Sequence, residues 1–235
     1  MNNYKDKYFS VLGDSISTRD GYTKPEFSSF YDSEKKIEAK VYIPRDTWWG
    51  QVADALGGKI LENNSISGST VCRHRDCEIQ SYGASDERTS SLSHGDISPD
   101  VIMVYMGTND WGWNMALTPK NDGEGDLTVF SVAYGTMLEK LKRNYPNAEI
   151  WCFTLAISKW EKVQDFIFPY WRAGVHINEY SNVIRNVAKA HACRIIDLYE
   201  SPEKYDTIDG FHPNSDGMKT LSKAVLSQLG DDISI

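Results

Sequence analysis

Two hydrophobic periods alternate along the 235 residues of the chain. Short, mainly apolar runs at residues 8–12, 59–63, 101–106, 149–155 and 194–198 predict five strands, and the run from Val101 to Met106 is apolar at every position. Such a run suits a parallel strand covered on both faces. Between the runs, residues 48–56, 128–144, 176–191 and 215–229 carry apolar side chains at helical spacing. The first of these helices has Asp46 or Thr47 as its N-cap and Gly57 and Gly58 as its stop, and Asp126 is placed to cap the second. Residues 18–44 lack a clear period and read as a long loop. Residues 64–99, rich in Ser, Arg, Asp and Gly, read as an irregular connection of the kind that carries function or short helices. Strand and helix therefore alternate over the whole length. The pattern predicts an α/β fold in a single domain spanning residues 1–235, with a central, mostly parallel five-stranded sheet in three α/β/α layers.

Ligands of such sheets bind outside the carboxyl ends of the strands, and three polar clusters fall there or just before the last helix. The first predicted strand runs into Gly13, Asp14 and Ser15, and the third into Gly107, Thr108, Asn109 and Asp110. Asp209, Gly210, Phe211, His212 and Pro213 precede the final helix. A serine hydroxyl is a weak nucleophile at neutral pH. It requires an imidazole to take its proton and donors to hold the charge that develops on an attacked carbonyl. Asp209, three residues before His212, can fold back on Nδ1 and leave Nε2 free to act as a base. Pro213 restricts His212 to extended backbone angles and keeps it at the helix entry. Each string alone is commonly a turn or a helix corner. Their occurrence together, in order and each after the right kind of element, points to a hydrolytic site. His94 with Asp96 is the one rival His and carboxylate pair.

These motifs resemble the blocks of the SGNH (GDSL-type) hydrolases, a family of esterases and lipases named for a Ser, a Gly, an Asn and a His. The resemblance falls on Ser15, on Gly68 within Asn64-Ser-Ile-Ser-Gly-Ser, on Asn109 and on His212, and spans almost the whole chain. It implies a flavodoxin-like sheet and makes Ser15 the nucleophile, His212 the general base and then acid, and Asp209 its orienting carboxylate. It further implies an oxyanion hole formed by the backbone N–H groups of Ser15 and Gly68 and the side-chain amide of Asn109. Asp14, Trp111 and Trp113 are expected to contact substrate, the two tryptophans because they closely follow Asn109. Trp48, Trp49, Trp160, Tyr170 and Trp171 add to an aromatic content of 12%, and such side chains serve equally as sugar platforms or core. The expected activity is hydrolysis of small carboxylic esters with a short acyl group, including acetyl on carbohydrate. A lysophospholipase, lipase or acyltransferase using the same site is the alternative, and a catalytically silent carbohydrate-binding domain is a third reading.

Composition narrows the partners. The net charge of −8 and the lack of any Lys/Arg-rich run argue against nucleic acid and anionic membrane surfaces. No stretch approaches the roughly 18 apolar residues of a membrane span, and residues 8–12 are too short for a signal-peptide core, so a cytoplasmic location is expected. Four cysteines are too few for a disulfide scaffold. Cys72, His74 and Cys77 lie close in sequence but lack the spacing of a structural zinc site. No metal and no organic cofactor is expected, and the expected partner is a small-molecule ester.

Overall fold

The computed structural model describes residues 2–74, 81–119, 125–160, 162–163, 166–167 and 174–230, the two short stretches 162–163 and 166–167 by their backbone alone. Five parallel strands form its sheet in the order β2-β1-β3-β4-β7, where β1 is Tyr8–Gly13, β2 Lys59–Ser65, β3 Val101–Tyr105, β4 Glu149–Phe153 and β7 Arg194–Ile196. β5 (Lys162–Val163) and β6 (Phe166–Ile167) make a separate antiparallel pair that the hydrophobic pattern does not show.

The chain enters at β1, steps to β2 on one side, then crosses to β3 on the other. The sheet therefore changes direction between β1 and β3, and the carboxyl ends of these two strands open the crevice in which α/β folds place their chemistry. Every residue of β3 is buried, as are residues 9–13 of β1. Strands buried on both faces require cover on both faces. On one side α2 (Trp48–Ala55) packs against α7 (Ser215–Ser227), and on the other α5 (Phe130–Asn144) packs against α3 (Asp86–Ser90) and α6 (Ile177–Ala190). One apolar cluster runs from β1 through all these layers, with Trp48, Trp49, Trp111 and Trp151 among its largest buried side chains.

Local chemistry sets the helix ends. Thr47 caps α2, its side chain accepting from the N–H of Gly50, while the Asp46 carboxylate instead receives the N–H groups of Tyr42 and Ile43. Asp126 does not cap α5. It accepts from the N–H and hydroxyl of Thr128 one turn earlier, and α5 starts at Phe130 without a side-chain cap. Residues 18–44, read as loop, contain the five-residue helix α1 (Lys35–Ala39), too short to show a period, closed by Lys40 in the left-handed conformation. The connection from 64 to 99 carries the five-residue α3, and α4 (Thr108–Gly112) follows β3. Among the described residues no helix is long and apolar enough to cross a membrane.

α7 positions the loop that precedes it through a glycine. A Cβ on Gly217 would lie 2.0 Å from the Asp206 carbonyl oxygen, so the helix meets the 206–214 backbone at a distance only hydrogen permits. Gly217→Ala should therefore lower unfolding free energy by about 1–3 kcal/mol. Urea denaturation would show this as a lower midpoint at unchanged slope, and an unaltered midpoint would mean that the contact yields without cost.

Candidate active site

β1 ends at Gly13, and Asp14 caps a single 3-10 turn, Ser15–Ser17, by accepting from the N–H of Ile16 at 3.1 Å. The turn is pinned from below. Ser17 Oγ accepts from Trp48 Nε1, and the Ser17 carbonyl accepts from Trp49 Nε1 and Asn63 Nδ2 at 3.0 and 2.9 Å. Gly13 is required here, because a Cβ would stand 2.6 Å from Ser65 Oγ and 2.7 Å from Ser17 Cβ. The sequence Gly-Asp-Ser thus places Ser15 at the strand terminus, 8% exposed, as the first residue of an anchored turn.

The loop before α7 brings the imidazole to it. Asp209 Oδ1 accepts from the N–H groups of Phe211 and His212, and Oδ2 lies 2.7 Å from His212 Nδ1. His212 Nε2 lies 2.8 Å from Ser15 Oγ. Burial would raise the Asp209 carboxyl. The hydrogen bond from the His212 side chain, with the N–H groups of His212 and Phe211, outweighs burial and holds it below the usual carboxylate range. An ionised carboxylate only accepts hydrogen bonds, so Nδ1 carries the proton and Nε2 is left to accept from the Ser15 hydroxyl. The loop is braced by Tyr31 and Tyr205, whose hydroxyls donate to the carbonyls of Pro213 and Phe211. Phe30 lies flat on the imidazole, with ring centroids 3.3 Å apart and planes 10° from parallel.

On the other side of Ser15, β3 passes through Gly107, at φ 126°, into α4. One hydrogen of the Asn109 amide donates to the Ser69 carbonyl at 3.0 Å, which leaves the second for a ligand. Asp110 is fully buried and receives the N–H groups of Val71 and Cys72 at 2.8 and 3.0 Å. Burial raises its carboxyl, opposed by those two bonds and by the Cys72 thiol. The Asn-Asp pair therefore holds the segment that contains Gly68, whose φ of 77° favours glycine. The N–H groups of Gly68 and Ser15 donate to no other described residue. A hydroxyl bonded to an imidazole that is itself bonded to a carboxylate is an arrangement able to attack a carbonyl.

Of the three expected substrate contacts, Asp14 and Trp111 are buried and Trp113 is exposed. Asp14 is 1% exposed, and as the cap of the Ser15 turn it supports that turn rather than facing a ligand. Burial, with Asp110 adding to it, pushes its carboxyl up to about 7 against the pull of the Ile16 N–H and Arg88. Trp111 is buried, and its Nε1 donates to the Val175 carbonyl, so it underlies the site instead of walling it. Trp113 is 57% exposed, with the His74 ring 5.0 Å away. His94 pairs with Glu62 at 2.8 Å rather than with Asp96, on the surface away from Ser15. Cys72 is a buried thiol pushed up by burial and by Asp110. Cys77, Tyr170 and Trp171 lie outside the described residues. Among the described residues no three His, Cys, Asp or Glu side chains group around a metal position.

Two members of this site have no signature in sequence. Phe30 lies in the aperiodic loop. Arg88 lies in the polar connection and is fully buried, its guanidinium pushed down to about 9 by burial against the pull of Glu87 and Asp14.

The family model for GDSL-like lipase/acylhydrolases matches residues 7–165. The cellulase/esterase CelE of Acetivibrio thermocellus is 35% identical over 54 residues, a match that spans 23% of this chain and 6% of that protein's length. A GDSL-like-lipase structure from Bacteroides uniformis ATCC 8492 superposes with a TM-score of 0.70 at 27% identity, covering 95% of both chains. Est24, a carbohydrate acetylesterase from Sinorhizobium meliloti, shares the fold with a TM-score of 0.65 at 16% identity, covering 95% of this chain and 98% of its own.

The buried Asp14 carboxyl gives stability a defined pH dependence. In the unfolded chain an aspartate titrates near about 3.9, but in the fold this one holds its proton to about 7. Between those values the folded state binds a proton that the unfolded state releases, so this group lowers stability as pH rises from about 4 to about 7. Asp14→Asn should remove that loss, and its melting temperature should exceed the parent's by on the order of 5 °C at pH 8 while differing little at pH 4. Thermal melts across that range check it, and a pH-independent difference would show that Asp14 does not titrate in the fold as described.

Proposed function

The chain belongs to the GDSL-like lipase/acylhydrolase family, and from that premise we propose that it is a serine esterase that hydrolyses small carboxylic esters through an acyl-enzyme on Ser15. One observation carries the reading. Asp209 Oδ2, His212 Nδ1, His212 Nε2 and Ser15 Oγ form a continuous chain of contacts of 2.7 and 2.8 Å.

In this mechanism Ser15 Oγ attacks the ester carbonyl as His212 Nε2 takes its proton, and Asp209 stabilises the imidazolium that forms. The N–H groups of Ser15 and Gly68 and the Asn109 amide receive the oxyanion. Collapse breaks the bond to the leaving alcohol, which leaves with the proton from His212. A water, deprotonated in turn by His212, then releases the acid and restores Ser15.

For the substrate, we favour a short acyl group, acetyl above all, on a carbohydrate. Trp113 offers an exposed aromatic face four residues beyond Asn109, with His74 beside it, and aromatic faces suit sugar rings. The names of Est24, a carbohydrate acetylesterase, and CelE, a cellulase/esterase, agree with this choice.

A p-nitrophenyl ester series tests both parts. Turnover should be highest for acetate and fall with chain length. Ser15→Ala should lose at least about 10³-fold in kcat, and Asn109→Ala about 10²–10³-fold. Rates that rise toward palmitate would contradict the short-acyl choice, and full activity in Ser15→Ala would contradict the serine mechanism.

A further inference from the structure

A cation with no solvent exposure lies beneath the site and ties its parts together. Arg88 Nη1 donates to Ser69 Oγ at 2.7 Å and to the Ser81 carbonyl at 3.4 Å, while Nη2 donates to the carbonyls of Gly13 and Asn64 at 2.9 and 2.7 Å. Gly13 is the last residue of β1 and precedes Asp14, the cap of the turn that carries Ser15. Asn64 stands near the end of β2, from which the chain continues to Gly68. Ser69 follows Gly68, and its carbonyl is the one that accepts from Asn109.

Thus one guanidinium bonds to each backbone segment that bears a candidate oxyanion donor, either directly or through Ser69. Burying a cation is costly, and apolar replacements of buried ions are often neutral or stabilising, so stability alone does not account for it. What a rigid planar fork supplies that an apolar side chain cannot is fixed spacing between several acceptors.

We propose that Arg88 is a positioning residue of the oxyanion hole. It acts through Ser69 and the Gly13 carbonyl to hold the N–H groups of Gly68 and Ser15 convergent, and it touches no substrate. This assignment rests on the esterase reading above. Misplacement of reacting groups by about 1 Å can cost about 10²-fold in rate, and a displaced donor weakens the transition state more than substrate binding.

The test is steady-state hydrolysis of p-nitrophenyl acetate by Arg88→Lys, Ser69→Ala, Asn109→Ala and the double variant of Arg88 and Asn109. Arg88→Lys should lose roughly 10- to 100-fold in kcat with KM within about twofold. Ser69→Ala, which removes one bond and leaves the guanidinium in place, should lose several-fold in kcat in the same manner. With Asn109→Ala already present, adding Arg88→Lys should cost far less than it does alone, because both act on one oxyanion. Unchanged kcat in Ser69→Ala, a rise in KM alone, or losses that simply multiply in the double variant would overturn the assignment, even if Arg88→Lys does not fold. Parent turnover that Ser15→Ala abolishes shows that such a result concerns Arg88 alone, whereas a parent without turnover fails the esterase reading on which the assignment rests.

Discussion

The contact between His212 Nε2 and Ser15 Oγ joins residues 197 positions apart, and the rest of the site is organised to make it. Neither partner could find the other through local structure. Ser15 arrives at the end of the first strand of the chain, His212 in the last loop before the final helix, and the packing of α7 against α2, with the Tyr31 hydroxyl on the Pro213 carbonyl, brings the loop to the β1 terminus. The orientation is equally constrained. Asp209 holds Nδ1 and the backbone N–H of the same histidine, Phe30 covers one ring face, and two tyrosine hydroxyls hold the carbonyls on either side. An imidazole held by these contacts has little freedom left to lose when it accepts a proton, and such prior ordering is a large part of what a catalytic base requires.

The ground beneath Ser15 is electrostatically costly. Asp14, Asp110 and Arg88 are all fully buried, and buried ionisable groups persist only where partners offset lost hydration. Here the partners are mostly backbone. Asp110 draws in two N–H groups of the Gly68 loop, and Arg88 takes the carbonyls that β1 and β2 leave at their ends. The strand ends create the need, since a sheet that stops in the interior leaves polar groups beyond its ladder, and the Gly13 carbonyl accepts from both Arg88 and the Ile66 N–H. The same groups fix the β1 terminus and the Gly68 segment, so satisfying the strand ends and shaping the candidate site are one arrangement.

Much of this was legible in the sequence. The five strands and four long helices stand out because each obeys a single hydrophobic period, and the chemistry follows because Ser15, Asn109 and His212 sit at strand or helix boundaries within short, recognisable strings. What escaped lacks a period or a string. α1 and α3 are five residues each, below the length at which amphipathicity shows. Trp111 and Trp113 are two positions apart and look equivalent on paper, yet one turn of helix buries the first and exposes the second. Arg88 and Phe30 matter through contacts that span the fold, and nothing adjacent to them in the chain marks either one. Asp14 is inside a motif, but its place is set by capping rather than by ligand contact.

The crystal structure of a fluorophosphonate adduct tests the central claim most directly. The account predicts phosphorus bonded to Ser15 Oγ with its phosphoryl oxygen about 2.7–3.1 Å from the Ser15 and Gly68 nitrogens and from Asn109 Nδ2. A reagent that leaves Ser15 unmodified, or an adduct whose phosphoryl oxygen points to solvent with Gly68 out of reach, would contradict it.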